Sequence, residues 1–347
     1  MAGRATRGYQ GPVDAVRALR EIAFRLERAG APTYRVRAFR RAAAVVDDCA
    51  DLDERIAANR LTELPGIGGT TAGVIAAAHR GEVPGYLARL RSEVDVPERG
   101  RELRVALRGD CHTHSDWSDG GSPIAEMAAT ARELGHEWMV LTDHSPRLTI
   151  ARGLSADRLR HQLDVVAELN QRLAPFRILT GIEVDILADG SLDQEEDLLA
   201  QLDLVVASVH SELRMPAPQM TRRMCAAAAN PHVDVLGHCT GRLIGGKRRP
   251  PSTFDAEEVF SACRDNGVAV EINSRPERLD PPRELLRLAR DTGCLFSIDS
   301  DAHAPGQLDW LGYGCARAEE CEVPADRVIN TRTAEDLLRG RRGHRAS

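Results

Sequence analysis

Residues 110–121 read DCHTHSDWSDGG. His112 and His114 stand at i and i+2, so on a β-strand both imidazoles face the same side. Paired imidazoles of this kind are ligands for zinc, manganese or iron. Asp119 follows in SDGG, whose two glycines permit a tight turn that returns the acid toward the histidines. The spacing recurs near the other end of the chain, where Asp301 and His303 in SDSDAHA are again i and i+2. Cys111 falls on the face away from His112 and His114 and reads as a core residue.

Such residues need elements that bring them to one place. From Arg108 onward, short apolar runs alternate with helical segments, the pattern of repeated β-α units. After LRGDCHTH the runs are EWMVLTDH, FRILTGIEVDI, LDLVVASVH, VDVLGHCT, GVAVEIN and CLFSIDSDAH, seven predicted strands in all. Each ends in a histidine, an acid or an asparagine. In parallel barrels the site forms where the C-terminal ends of the strands converge. These ends add His144, Glu183, His210 and His238 to the metal candidates. The remaining histidines, His79, His136, His161, His232 and His344, lie in helical or terminal segments and read as structural.

The motifs HTHSDWSDG, TDHS, GIEVDI with SVHS, GHCTGR and DSDAH resemble those of the PHP (polymerase and histidinol phosphatase) family of metal-dependent phosphoesterases. The resemblance covers residues 109–340 and implies a distorted (β/α)7 barrel carrying two or three divalent ions, Mn, Zn or Fe. It implies that His112, His114, Glu183 and Asp301 hold a first metal. Glu183 would bridge to a second held by His210 and His238, with Asp119, His144 and His303 holding a third. Asp185 and Asp299 lie two residues from proposed ligands, so exchanges with them stay open; Asp110 and Asp143 suit roles in orienting ligands. The implied chemistry is hydrolysis of a phosphate ester by a metal-activated hydroxide. Arg242 and Arg275, just past strand ends, are candidates for binding phosphate. A salt bridge at the barrel rim is the alternative for each. Lys247 is a further candidate of the same kind.

Residues 10–92 read as a separate helical unit, with helices over Val13–Ala29, Tyr34–Val46 and Asp53–Asn59. Val36, Phe39, Ala43 and Val46 make an apolar stripe at helical spacing, while Arg37, Arg40 and Arg41 share another face. LPGIGGTTAGVI has the pattern of a helix-hairpin-helix. Gly66 and Gly68 allow backbone approach, and Gly69 and Thr70 open a helix whose free N–H groups suit a phosphate. This unit resembles the small N-terminal domain of family X DNA polymerases, which implies DNA as a partner through those residues. Two departures matter. The charged stretch 93–108, read as a linker, leaves no room for a nucleotidyltransferase palm, so a polymerase is not expected. Residues 1–108 contain no lysine, so Schiff-base lyase chemistry is not expected either. Position 69, often basic in such hairpins, is glycine; Arg35, Arg37, Arg40 and Arg41 could supply the missing charge.

Composition agrees with this division. The net charge is −6, yet residues 1–108 hold 19 arginines against 14 acids, and Lys247 is the chain's one lysine. A basic head on an acidic body suits a polyanionic partner, although a solvated arginine surface would look the same. No apolar run reaches the length of a membrane span, and the N-terminus carries no apolar signal segment. Eight scattered cysteines without CxxC spacing read as reduced thiols of a cytoplasmic protein. The resemblance of both units to parts of bacterial family X polymerases implies hydrolysis at DNA ends in DNA repair, by a 3′–5′ exonuclease or 3′-phosphatase. The alternatives are a small-molecule phosphatase, such as one for histidinol phosphate, and a non-catalytic DNA-binding protein.

Overall fold

A computed structural model describes residues 14–93, 97–246 and 248–340. Lys247, Val13, His344, residues 10–12 of the expected helical unit and residues 94–96 of the expected linker lie outside these residues. The chain divides into two compact units between residues 95 and 96, and each is described by itself.

The first unit is helical: α1 (Ala15–Arg28), α2 (Thr33–Asp47), α3 (Leu52–Ala57), α4 (Gly69–His79) and α5 (Gly85–Ser92). Leu19, Ile22 and Leu26 recur at helical spacing on α1 and are buried against Val36, Phe39, Ala43 and Val46 of α2. Val74 and Ile75 of α4 and Leu87 of α5 complete that core. Burying apolar side chains of this size contributes about 1.5–3 kcal/mol each, which is what holds such short helices.

The second unit begins earlier than expected. Part of the supposed linker forms α6 (Arg101–Ala106), which lies on the helix Leu311–Glu320. Leu103 and Leu107, four residues apart in a charged stretch, face the barrel core. Gly100 has φ +77° and donates its N–H to Glu319 Oε2 at 2.6 Å. A Cβ there would stand 2.3 Å from the carbonyl carbon of Cys315, so only glycine allows this approach.

Seven parallel strands then follow in sheet order equal to chain order. They are β1 (Gly109–Thr113), β2 (Trp138–Leu141), β3 (Arg177–Asp185), β4 (Leu204–Ser208), β5 (Val235–Leu236), β6 (Ala269–Asn273) and β7 (Leu295–Asp299). Each corresponds to one of the predicted runs. Side-chain alternation sorts their residues. Val140, Leu179, Val206 and Val235 pack with Cys111, Ile329 and Leu337, whereas Met139, Leu141 and Ile178 pack on the helix Ile124–Glu133. The eight cysteines are unpaired, six of them buried. No helix among the described residues is long and apolar enough to cross a membrane.

The barrel closes between β1 and β7 largely through side chains. Asn330 receives the N–H of Ile298 at 2.7 Å and donates to the carbonyls of Ile298 (3.0 Å) and Gly109 (3.2 Å). Asp299 receives the N–H of Cys111 at 2.9 Å, and Asp110 binds Ser300 Oγ. One backbone rung, His114 N–H to Ala302 O at 2.8 Å, completes the seam. Asn330 is wholly buried, so Asn330→Ala strands several backbone groups. A loss of about 3 kcal/mol is expected, read as a lower denaturant midpoint; an unchanged midpoint contradicts the role.

Candidate metal centre

The C-terminal ends of the strands meet at a cavity of about 390 Å³. Glu183, from the end of β3, occupies its floor and is 1% exposed. Five imidazoles surround this one carboxylate. Its Oε2 lies 3.2 Å from His112 Nε2, 3.5 Å from His114 Nε2 and 2.9 Å from His144 Nδ1. Its Oε1 lies 3.2 Å from His210 Nε2 and 2.9 Å from His238 Nε2. Asp301 approaches His114 at 3.6 Å, and Asp119 lies 3.3 Å from His303 and 3.5 Å from His144. All nine residues singled out in the sequence are thus brought to one place.

The turn that carries Asp119 is built as the glycines suggested. Gly120 N–H returns to Ser115 O at 2.9 Å, and Gly121 N–H reaches His303 O at 2.7 Å. Asp143 anchors the turn by accepting from Ser115 N–H (2.8 Å), Ser115 Oγ (2.6 Å) and Gln162 Nε2 (2.7 Å). Asp185 accepts the N–H of His210 at 3.0 Å and so orients that residue. Asp299 and Asp110 belong to the β1–β7 seam.

Three sets of residues can each offer ligand atoms within 4.8 Å of one another: His114, Asp119, His144 and His303; His112, His114 and Asp301; His144, Glu183 and His210. His114 and His144 each belong to two sets, so the grouping is more interleaved than the family resemblance implies. The chemistry of the donors fits divalent ions. Both ring nitrogens of His114 and of His210, with His112 Nε2 and Glu183 Oε2, are buried without a hydrogen-bond partner. Buried polar atoms are rarely left so unless something else binds them.

Electrostatics separate the imidazoles. Burial lowers His114 to about 3, helped by His303 and His144. Burial and Arg278 lower His238 to about 4. For His210 burial works the other way from Glu183 and Asp185, which prevail and raise it to about 9. Burial disfavours charge on Glu183 too, but His112, His144 and His210 hold it well below the carboxylate range. These shifts favour the anionic form of Glu183 and the neutral rings of His114 and His238, the forms that bind cations. Burial also opposes charge on His112, but Glu183 and Glu271 raise it well above the usual value, so His112 and His210 must each give up a proton for an ion to bind.

Sequence reasoning missed Glu271. It lies inside β6, is fully buried, and sits 2.6 Å from His112 Nδ1. It also accepts the N–H of His238 and, at 3.2 Å, a proton of Asn273, which binds Asp301 at the same distance. The signal was an acid between Val270 and Ile272 in an apolar run. The arginines also need revision. Arg275 does line the cavity, pairing with Glu277 at 2.9 Å and reaching within 3.7 Å of Asp301. Arg242 does not: it turns back to the carbonyls of Arg278 (3.0 Å) and Leu279. Arg278, three residues past Arg275, takes that place, with Nε 3.1 Å from Asp301. His79, His161 and His232 meet Asp53, Trp117 and Glu196, and His136 is buried near Arg104.

In the helical unit, Gly66 has φ +97°, and the side chain of Arg41 lies where a Cβ would project. Gly68, Gly69 and Thr70 are exposed at the start of α4, and Thr71 Oγ1 receives the N–H of Gly68 at 2.9 Å. Arg37 and Arg41 are exposed. Arg40 is not free for phosphate, because it forms a two-pronged pair, 2.7 Å for each contact, with the buried Glu27.

Comparison with known proteins agrees with this geometry. Residues 110–275 match the PHP domain and residues 13–82 a helix-hairpin-helix domain. The chain is 40% identical over 231 residues to a DNA polymerase/3′-5′ exonuclease PolX of Bacillus subtilis; the match covers 67% of this chain and 40% of that protein. It is 30% identical to a probable phosphatase of Acetivibrio thermocellus, over 64% of this chain and 90% of the relative. A histidinol phosphate phosphatase structure from Lactococcus lactis superposes with a TM-score of 0.47 at 18% identity, covering 61% of this chain and 92% of that one. With its seven-stranded barrel, its histidine and carboxylate cluster, the two domain matches and the sequence relatives, the chain belongs to the PHP family and is a phosphoester hydrolase with an N-terminal helix-hairpin-helix domain.

Proposed function

We propose that the protein hydrolyses phosphate esters at DNA ends, as a 3′–5′ exonuclease or 3′-phosphatase acting in DNA repair. One observation carries the reading: a nine-residue donor cluster with orphaned buried atoms stands in the same chain as a helix-hairpin-helix. Two or three divalent ions at the cluster would supply Lewis acidity and lower the pKa of water near neutral pH. His112, His114, Glu183 and Asp301 would hold one, Glu183 with His210 and His238 another, and Asp119, His144 and His303 a third. The chain's own groups do the rest. Glu271 and Asp185 fix imidazole orientation, Asp143 holds the Asp119 turn, and Arg275 and Arg278 place positive charge beside the phosphoryl oxygens. Residues 10–92 would bind the DNA backbone through Gly66, Gly68, Gly69 and Thr70, with Arg37 and Arg41 adding charge. The eight free thiols suit a cytoplasmic setting.

The test is a substrate panel with Mn or Zn: single-stranded, gapped and 3′-phosphorylated DNA against histidinol phosphate. Faster turnover of histidinol phosphate than of any DNA would assign the small-molecule reading. The double substitution Arg37→Glu, Arg41→Glu is expected to weaken DNA binding by the full chain. The slope of log affinity against log salt should fall by about 2, one for each lost phosphate contact. An unchanged slope removes α2 from the interface.

A further inference from the structure

A second cavity, of about 430 Å³, opens beside the metal centre. Its size lies in the range of small-ligand sites. Leu213 and Arg214, beyond β4, form one wall; Pro250, Pro251 and Thr253 form another. Arg249 lines both cavities and so joins them. The walls are pinned rather than loose. Ser252 is buried, donates its hydroxyl to Leu213 O at 2.8 Å and its N–H to Thr240 O at 2.8 Å. Arg249 is fixed by Nε to Gly241 O at 2.6 Å and by backbone bonds of 3.0 Å with Leu243.

The lining is of two kinds. Leu213 and the two prolines present apolar faces on which a flat ring can lie. Arg214 is exposed, and neither it nor Arg249 forms an ion pair among the described residues. The acid that acts on Arg249, Asp280, is already engaged by Thr240 Oγ1 at 2.6 Å. Two guanidiniums with no ion pair among the described residues, beside apolar faces, suit a ring-bearing anion and oppose a cationic amine.

We infer that this side cavity is the subsite for the nucleotide on the 5′ side of the scissile phosphate. Its base lies against Leu213, Pro250 and Pro251, and its own phosphate meets Arg214 and Arg249. The inference rests on the DNA reading above and deepens it: the barrel itself, not only the helical unit, selects a nucleic acid. Hydrolysis would then release the 3′-hydroxyl of that nucleotide within the subsite. Histidinol, with its ammonium group, would be repelled there.

Calorimetric titration of the full, manganese-loaded chain tests this. The probes are inorganic phosphate, histidinol phosphate and a 5′-phosphorylated, phosphorothioate-linked thymidine dinucleotide, whose linkage resists cleavage and whose 5′-phosphate is the group expected to meet Arg214 and Arg249. The wild type should bind the dinucleotide tighter than either other probe. In Arg214→Glu and in Thr253→Trp, which fills the cavity from an exposed position, the ratio of dinucleotide to phosphate affinity should fall about tenfold or more. A preference that survives both substitutions overturns the subsite and leaves the DNA reading standing. A wild type without that preference overturns both.

Discussion

Glu183→Gln is expected to lower phosphoesterase activity on the order of 10³-fold or more and to strip the protein of part of its metal. The substitution keeps the size of the side chain and one carbonyl oxygen. It removes the single negative charge about which five imidazoles are arranged, at 2.9–3.5 Å. A cation in that buried floor would then lose its central carboxylate and depend on Asp301 and Asp119 at the margins of the cluster, where in a buried site the lost attraction is large. The measurement is metal content per chain beside the hydrolysis rate, with the unfolding midpoint as control. Full metal content and activity within tenfold of wild type would show that Glu183 is not a bridging ligand.

Glu271→Ala comes next in size. Glu271 touches no cavity wall, yet it receives His112 Nδ1 and the N–H of His238, residues proposed for two different metals. Its loss leaves both donors buried without acceptors and lets the His112 ring rotate. Partners of ligating histidines are worth about 10–100-fold in metal affinity, and stranded buried donors cost about 1–3 kcal/mol each. The expected signature is therefore a metal titration shifted by that factor, with kcat largely recovered at saturating metal. A low kcat at saturating metal, with affinity unchanged, would instead place Glu271 in the reaction itself.

The contrast between these two residues explains what could be read in advance. Glu183 stands near the end of a strand, where side chains of its parity face the mouth, so its type and position alone pointed to the place where the imidazoles gather. His112 and His114 were legible because a strand repeats every two residues; Asp301 and His303 share that spacing but lie just past β7, with Asp301 at φ +53°, so the loop rather than strand alternation presents them. Glu271 lies within a strand, and its partner His112 is 159 residues away; only the closed barrel brings them together. Arg242 and Arg278 illustrate another limit. Both lie past strand ends, but loop direction decides which one meets the cavity, and local pattern does not encode that direction. Arg40 was misread because its partner Glu27 sits on a neighbouring helix. Helix α6 was hidden by charge: only Leu103 and Leu107 mark its buried side.

The seam between β1 and β7 has a consequence for how the protein is made. His112 and His114 stand at the end of β1 and Asp301 and His303 just past β7, and among the described residues little backbone pairing joins these margins beyond the bond from His114 N–H to Ala302 O. A cation shared by His114 and Asp301 would clasp these margins. At a free metal concentration a hundredfold above its Kd, it would add about 2.7 kcal/mol to closure. Without the ion the seam rests on that bond and on Asn330, Asp299 and Asp110, and whenever it opens each margin is an edge strand, the kind of surface through which chains pair and aggregate. Newly synthesised chains starved of metal should thus be lost to association through β1 and β7 before any shortfall in catalysis is felt.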